Sequence, residues 1–180
     1  MQQKIIYTIG HSTRIQEQFI SMLQSFKIEL LADIRSYPGS KRYPHFNKEN
    51  LQKVLPQHQI MYQHLPELGG RRKTVKDSKN TVWKNDAFRG YADYMATDNF
   101  IHGIDKLENI ATKYTTAYMC SEAVWWRCHR SMVSDYLKWK GWLVMHIMAE
   151  NKSEQHPYTA PAKIVDGELT YGEKNQQKLF

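Results

Sequence analysis

The sequence has no long apolar run. Nothing in its 180 residues approaches the ~18 consecutive apolar residues that cross a bilayer, and the opening MQQKIIYTIGHS lacks the apolar stretch of a signal peptide. No membrane partner and a cytoplasmic location are therefore expected. Cysteine is scarce as well. Cys120 and Cys128 are too few for a disulfide framework, and in a reducing compartment thiols stay free unless they are catalytic, regulatory or metal-bound. Acidic residues are outnumbered, 18 Asp and Glu against 25 Lys and Arg, for a net charge of +7. That balance favours an anionic partner: phosphate, nucleotide or nucleic acid. Internal repeats and low-complexity segments are missing too. The length suits one domain over residues 1–180 with one core.

What is present is unevenly distributed. Gly69 to Tyr91 carries seven basic residues against two acidic ones, with Trp83, Phe88 and Tyr91 interleaved. Arg35 to Lys48 has four basic residues, no acidic one, and Tyr37, Tyr43 and Phe46. Aromatic faces beside a positive track hold single strands by stacking and charge; a solvated lysine-rich loop is the plainer alternative.

Lys4–Gly10 and Glu29–Ser36 read as buried strands, Ile60–Gly70 and Thr115–Cys120 as a third and fourth, and Leu143–Met148 as a fifth. Helices are predicted over Ile15–Phe26 with Ser12 or Thr13 as cap, over Asn47–Leu55 capped by Asn47, and over Asp86–Tyr94 and Asn99–Lys113. Another helix continues from Cys128-His129-Arg130 to Trp139, and a short tail follows the fifth strand. Within the tail, Asp166-Gly167 between two apolar runs predicts a two-residue hairpin turn, in an extension over about 160–180. Strands alternating with helices give an α/β class: a Rossmann-like, mainly parallel sheet flanked by helices, with a C-terminal β-hairpin.

Such sheets bind ligands beyond the carboxyl ends of their strands. The polar chemistry of this chain follows that rule. The first strand leads into Gly10-His11-Ser12-Thr13-Arg14, the second into Asp33, Arg35 and Ser36, the third into Gly69-Gly70 and the fourth into Cys120-Ser121-Glu122. CSEAVWWRCHR, Cys120 to Arg130, packs both cysteines, Glu122, Trp125, Trp126, Arg127, His129 and Arg130 into eleven residues.

TIGHST, DIRSYPGS, ELGGRR, CSEAVWWRCHR and AKIVDGELTY, in that order from about Ile6 to Phe180, together resemble the domain of unknown function 488 family. The resemblance implies a Rossmann-like α/β fold and a site at Cys120, Glu122, Cys128, His129 and Arg130, but no reaction. The Trp125-Trp126 pair departs from the family's commoner spacer.

Each candidate has a functional and a plain reading. Cys120, at a strand end beneath a helix N-terminus with arginines near, is a candidate nucleophile or a small buried hydrophobe. Glu122 acts as general acid/base or pairs with an arginine. Cys128, His129 and Arg130, with Arg127 ahead of them, form a phosphate cradle, or Arg130 locks Asp33 or Glu122 in a buried pair. His11 is an acid/base near neutral pH or is tied to backbone. Asp33 is a further candidate for the chemistry, or pairs with Arg35, two residues on, and aims it at the crevice. Ser12, Arg14 and Ser36 add possible contacts, and Gly69 and Gly70 allow close approach to a ligand or simply turn the chain. An exposed tryptophan beside an arginine suits a nucleobase.

No metal or other cofactor is expected. Cys120, Cys128 and His129 offer three donors, but their spacing is not that of a ribbon or finger, and a His directly after a Cys rarely places both donors on one ion. The preferred function is an enzyme directed at nucleotides or nucleic acid, a hydrolase or transferase with a phosphate-binding crevice. A non-catalytic nucleic-acid-binding module and a cysteine-dependent sulfur-transfer or phosphatase-like enzyme are the alternatives.

Overall fold

A computed structural model describes residues 3–172. The elements run β1 Ile5–Gly10, α1 Gln16–Ser25, β2 Leu30–Asp33, α2 Lys48–Val54, β3 Met61–His64, α3 Asp86–Tyr94, α4 Asp98–Ala111, β4 Thr116–Cys120, α5 Arg130–Trp139, β5 Leu143–Ala149, β6 Lys152–Gln155, β7 Lys163–Val165 and β8 Glu168–Thr170. Six strands form one sheet in the order β3-β2-β4-β1-β5-β6, and β7-β8 is a separate hairpin. Five of the six are parallel; β6 runs antiparallel to β5.

Burial explains the sequence pattern. All five residues of β4 are buried, as befits a central strand covered on both faces. Alternate residues point to opposite sides: Ala117 and Met119 join the cluster with Phe19, Met22, Leu23, Leu51 and Leu55 of α1, α2 and the turn beyond it. Tyr118 and Cys120 join the cluster with Tyr91, Phe100, Ile104, Leu107, Met132, Val133 and Leu137 of α3, α4 and α5. The predicted α/β class therefore stands, with helices on both faces of a mainly parallel sheet.

This topology creates a switch point. From β1 the chain leaves along the α1 face toward β2, whereas from the neighbouring β4 it leaves along the α5 face toward β5. Connections departing to opposite faces open a crevice between the two strand ends. The ladder continues into that crevice: His11 N–H donates to Cys120 O at 3.1 Å and Ser12 N–H to Ser121 O at 2.9 Å.

Several local expectations need correction. Neither Ser12 nor Thr13 caps α1; Ile15 holds the cap position without a side-chain bond, because Ser12 is held beside Ser121 with φ 52°. Asn47 does precede α2, yet its Oδ1 accepts from Ser40 N–H at 2.5 Å and ties the preceding loop instead of capping the helix. β3 is four residues long and gives way to a single turn at Pro66–Leu68, since proline has no N–H to extend a ladder. α5 begins at Arg130, after a short turn over Trp125–Arg127.

The tail holds an unforeseen strand, β6, whose Lys-Ser-Glu-Gln sequence has no apolar alternation because it forms the polar edge of the sheet. The β7–β8 turn agrees with its prediction: Asp166 and Gly167 both have positive φ, 52° and 84°, as the tight hairpin turn requires. The last residues of the expected extension, 173–180, lie outside the described residues. Among the described residues no helix is long and apolar enough to cross a membrane.

Candidate functional site

A cavity of about 840 Å³ opens at the carboxyl edge of the sheet. Its walls come from the loops after β1, β2, β3 and β4 and from α3, and they include His11, Ser12, Arg35, Ser36, Gly70 and Cys120. Four segments far apart in sequence converge because parallel strands all end on the same side.

The β2 wall is held by a buried ion pair. Asp33 Oδ1 accepts from Arg35 Nε at 2.8 Å and Oδ2 from Arg35 Nη2 at 2.5 Å. Tyr62 Oη also donates to Oδ2, at 2.6 Å, and the phenol's pKa is raised by burial and by the Asp33 charge. With both oxygens engaged and no exposure, Asp33 positions Arg35 and has no free lone-pair site on the crevice. Arg35 also donates to Phe46 O at 2.8 Å and, through Nη1, faces His11 Nε2 at 3.2 Å.

That contact settles the His11 tautomer. Ser12 O, 2.9 Å from Nδ1, is only an acceptor, so Nδ1 carries the proton and Nε2 accepts from the guanidinium. Burial, with the Arg35 charge beside it, lowers the His11 pKa to about 4. His11 is a neutral strut stacked on Phe46 with ring centroids 4.3 Å apart, unlike the acid/base near neutral pH that its position suggested.

The floor is formed by two thiols and an imidazole. His129 Nδ1 lies 3.8 Å from Cys120 Sγ and 3.7 Å from Cys128 Sγ, and the three donor atoms all lie within 4.8 Å of one another. The Cys120 thiol is held well below its usual range, because the Cys128 thiol donates to its sulfur, His129 lies beside it and Arg130 supplies positive charge, against the opposing effect of burial. Burial and the donation to Cys120 push Cys128 up. A buried thiolate with one thiol donor is both a nucleophile and a metal ligand.

The adjacency argument against a shared ligand fails for a backbone reason. Cys128 is extended (φ −129°, ψ 147°) and His129 is helical (φ −56°, ψ −16°), so the chain turns between them and brings both side chains to one side. Gly70 makes room for the ring: a Cβ there would stand 2.9 Å from His129 Nδ1. Gly69 backs this wall, since its Cβ would meet Ser36 Oγ at 2.5 Å, and Ser36 itself donates to Gly70 O at 2.7 Å.

Arg130 occupies neither of its anticipated places. It is buried, and it donates from Nη1 to Thr8 Oγ1 and from Nη2 to the backbone oxygen of Glu122, both at 2.8 Å. It thus fixes the loop after β4 through a carbonyl, not through a carboxylate, and among the described residues it has no acidic partner. Arg14 likewise turns away, donating to Gly10 O at 2.7 Å and lining a second, smaller depression. Glu122 and Arg127 are exposed on the crevice wall.

The tryptophans do not line the crevice. Trp125 stacks on His146 at 4.5 Å, with planes 1° apart, and its Nε1 donates to Glu154 Oε1 at 2.6 Å. Trp126 packs edge-on against it at 5.4 Å and is half exposed outside the cavity. The aromatic faces on the cavity are instead Tyr37, Tyr43, Phe88 and Tyr91. Their sequence signal was the aromatic spacing within the two basic loops.

Sequence reasoning missed a buried chain behind Trp125. His146 Nε2 and His156 Nδ1 are 2.9 Å apart, and His156 Nε2 is 2.9 Å from Asp135 Oδ1. Thr159 and Tyr171 hydroxyls donate to Asp135 Oδ2 at 2.6 and 2.9 Å. The available signal was Asp135 itself, an acidic residue buried within α5.

A switch-point crevice with a Cys-Cys-His floor and an arginine rim defines an α/β protein whose candidate site lies at the carboxyl ends of β1, β2 and β4. The chain belongs to the family described as Domain of unknown function DUF488, which matches residues 15–137. The match takes in the β2 loop, the Gly69-Gly70 turn and the whole of Cys120–Arg130. No curated protein and no solved structure matches the chain.

Proposed function

We propose that this protein is an enzyme directed at nucleotides or nucleic acid, with the crevice as its binding site and the Cys120-Cys128-His129 floor as the reacting centre. One observation carries this reading: a single cavity joins that floor to Arg71 and Arg127, two exposed arginines without a carboxylate partner among the described residues. Arg35, paired with Asp33, lines the same wall. Guanidinium groups bind phosphate oxygens through paired N–H donors.

Base stacking falls to Tyr37, Tyr43 and Phe88 in place of the tryptophans. Glu122 is the acid/base of this site: its side chain makes no hydrogen bond among the described residues and it lines the same cavity. A hydrolase or transferase acting at a phosphate-bearing substrate fits these groups. The non-catalytic alternative draws on the same positive rim.

The test pairs binding with turnover. Fluorescent oligonucleotides and nucleotides are titrated at several salt concentrations, and an affinity falling steeply with salt is expected. Glu122→Gln should then abolish turnover of any substrate found while leaving binding intact. Affinity insensitive to salt removes the nucleic-acid reading, and a variant with unchanged turnover removes the assignment of Glu122.

A further inference from the structure

We propose that Cys120, Cys128 and His129 form a zinc site whose fourth coordination position opens into the crevice. The inference rests on the reading of that crevice as a reacting centre and names the chemistry at its floor. Zinc takes thiolate sulfur at about 2.3 Å and imidazole nitrogen at about 2.0–2.1 Å, and tetrahedral angles then set sulfur–nitrogen separations of about 3.5–3.6 Å. The observed sulfur–nitrogen separations are 3.8 and 3.7 Å, within a few tenths of an ångström of those values, and the two sulfurs, like all three donors, lie within 4.8 Å of one another.

Its surroundings match a metal centre. His129 Nε2 faces Ile34 O at 3.3 Å, an acceptor only, which puts the ring proton on Nε2 and leaves the Nδ1 lone pair directed at the sulfurs. Fixing a ligand's tautomer through its other nitrogen is a regular feature of metal-bound imidazole. Cys128 Sγ accepts from the Arg130 backbone N–H at 3.5 Å. Two sulfurs and one nitrogen form a borderline-soft donor set, which selects zinc over magnesium or calcium.

The number of ligands assigns the type of site. Structural zinc is closed by four protein ligands, whereas three with an open position make a catalytic centre. All three ligands line the cavity. A water bound at the open position would lose its proton to Glu122, and the resulting hydroxide would bond to an electrophilic carbon or phosphorus of the bound nucleotide. The bond to the leaving group breaks as that group takes the proton back from Glu122, so the net reaction is hydrolysis with no redox change.

The experiment uses the full chain under a non-thiol reductant. Protein from zinc-supplemented culture is assayed for metal, stripped with chelator and titrated with cobalt. One zinc per chain and a thiolate-to-cobalt charge-transfer band are expected, and His129→Ala should weaken cobalt binding by at least about 100-fold, beyond the usual cost of an outer-shell change. Because substitution of a buried ligand can unfold the chain, iodoacetamide labelling of the unaltered protein provides a second arm. Zinc should slow alkylation of both cysteines at least about tenfold, as a bound thiolate is not free to attack.

No bound zinc and no charge-transfer band, or labelling rates indifferent to zinc, overturn the site. Salt-dependent oligonucleotide binding by the stripped protein tells the two failures apart. If that binding persists where no metal is bound, the zinc assignment alone falls; if metal binds and no nucleotide or oligonucleotide does, the functional reading falls and the centre stands.

Discussion

Gly10 lies where β1 hands over to the crevice, and the cost of a single methyl there follows from the structure. The Cβ of Gly10→Ala would stand 1.8 Å from the Glu122 carbonyl oxygen, 2.7 Å from its carbon and 2.8 Å from Arg130 Nη2. A carbonyl in the backbone cannot rotate aside as a flexible side chain does, so the loop after β4 must move. Overpacking of this kind costs about 1–3 kcal/mol. Moving the loop also breaks the 2.8 Å bond from Arg130 to Glu122 O, and losing a charge-assisted bond costs about 1.5–3 kcal/mol. Together these come to about 2.5–6 kcal/mol, a large share of a typical domain's stability of about 5–15 kcal/mol. With a urea slope of about 2 kcal/mol per M, the unfolding midpoint should fall by about 1.3–3 M. Gly39→Ala serves as control: it has nothing within 4 Å of its Cβ, and its effect should stay within about 0.5 kcal/mol. A Gly10→Ala midpoint within about 0.3 M of the parent, at unchanged slope, refutes the close approach of these two loops.

Acid should expose the neutral His11. Its folded pKa of about 4 lies below the ordinary 6.5, so the unfolded chain binds the proton more readily; the contribution is complete above pH 6.5 and is lost as pH falls toward 4, by about 3 kcal/mol in all. Urea unfolding between pH 7 and 4 should show a shallower loss for His11→Gln than for the parent, and parallel curves contradict the assignment. Asp33→Asn leaves Arg35 buried without its carboxylate and should cost about 3–5 kcal/mol, against about 1 kcal/mol for Tyr62→Phe, which removes one donor to Asp33; equal losses in thermal unfolding argue against the pair. Arg71→Ala and Arg127→Ala should each flatten the salt dependence of oligonucleotide affinity by about one unit of slope, while Trp126→Ala leaves affinity unchanged. A large loss with Trp126→Ala would return base stacking to the tryptophans.

Much of this architecture was legible in the order of residues. Asp86–Tyr94 forms a helix with the predicted bounds, since Asn85 accepts from the amides of Ala87 and Phe88 and fixes its start. Thr116–Cys120 forms the predicted fourth strand and is buried throughout, as a short, mostly apolar run between turns implies. Asp166-Gly167 turned the chain because those two types tolerate positive φ. The rule that ligands gather beyond parallel strand ends points to His11, Arg35, Ser36, Gly70 and Cys120, and all five line one cavity.

Other features depended on contacts between segments remote in sequence. Trp125 chose His146 and Glu154, on β5 and β6, over a solvent-facing position, and β6 itself carried no periodic signal. Arg130 found two carbonyls and a threonine in place of a carboxylate. Spacing argued against Cys128 and His129 sharing one centre, yet a backbone turn between them brought both to Cys120. Local sequence therefore determined the parallel strands, most of the helices and the edge on which the chemistry gathers, because periodicity and turn propensity act over a few residues. Which side chains meet there was decided by tertiary packing alone, since partners from β1, β2, β4 and α5 acquire their distances only when the sheet is assembled.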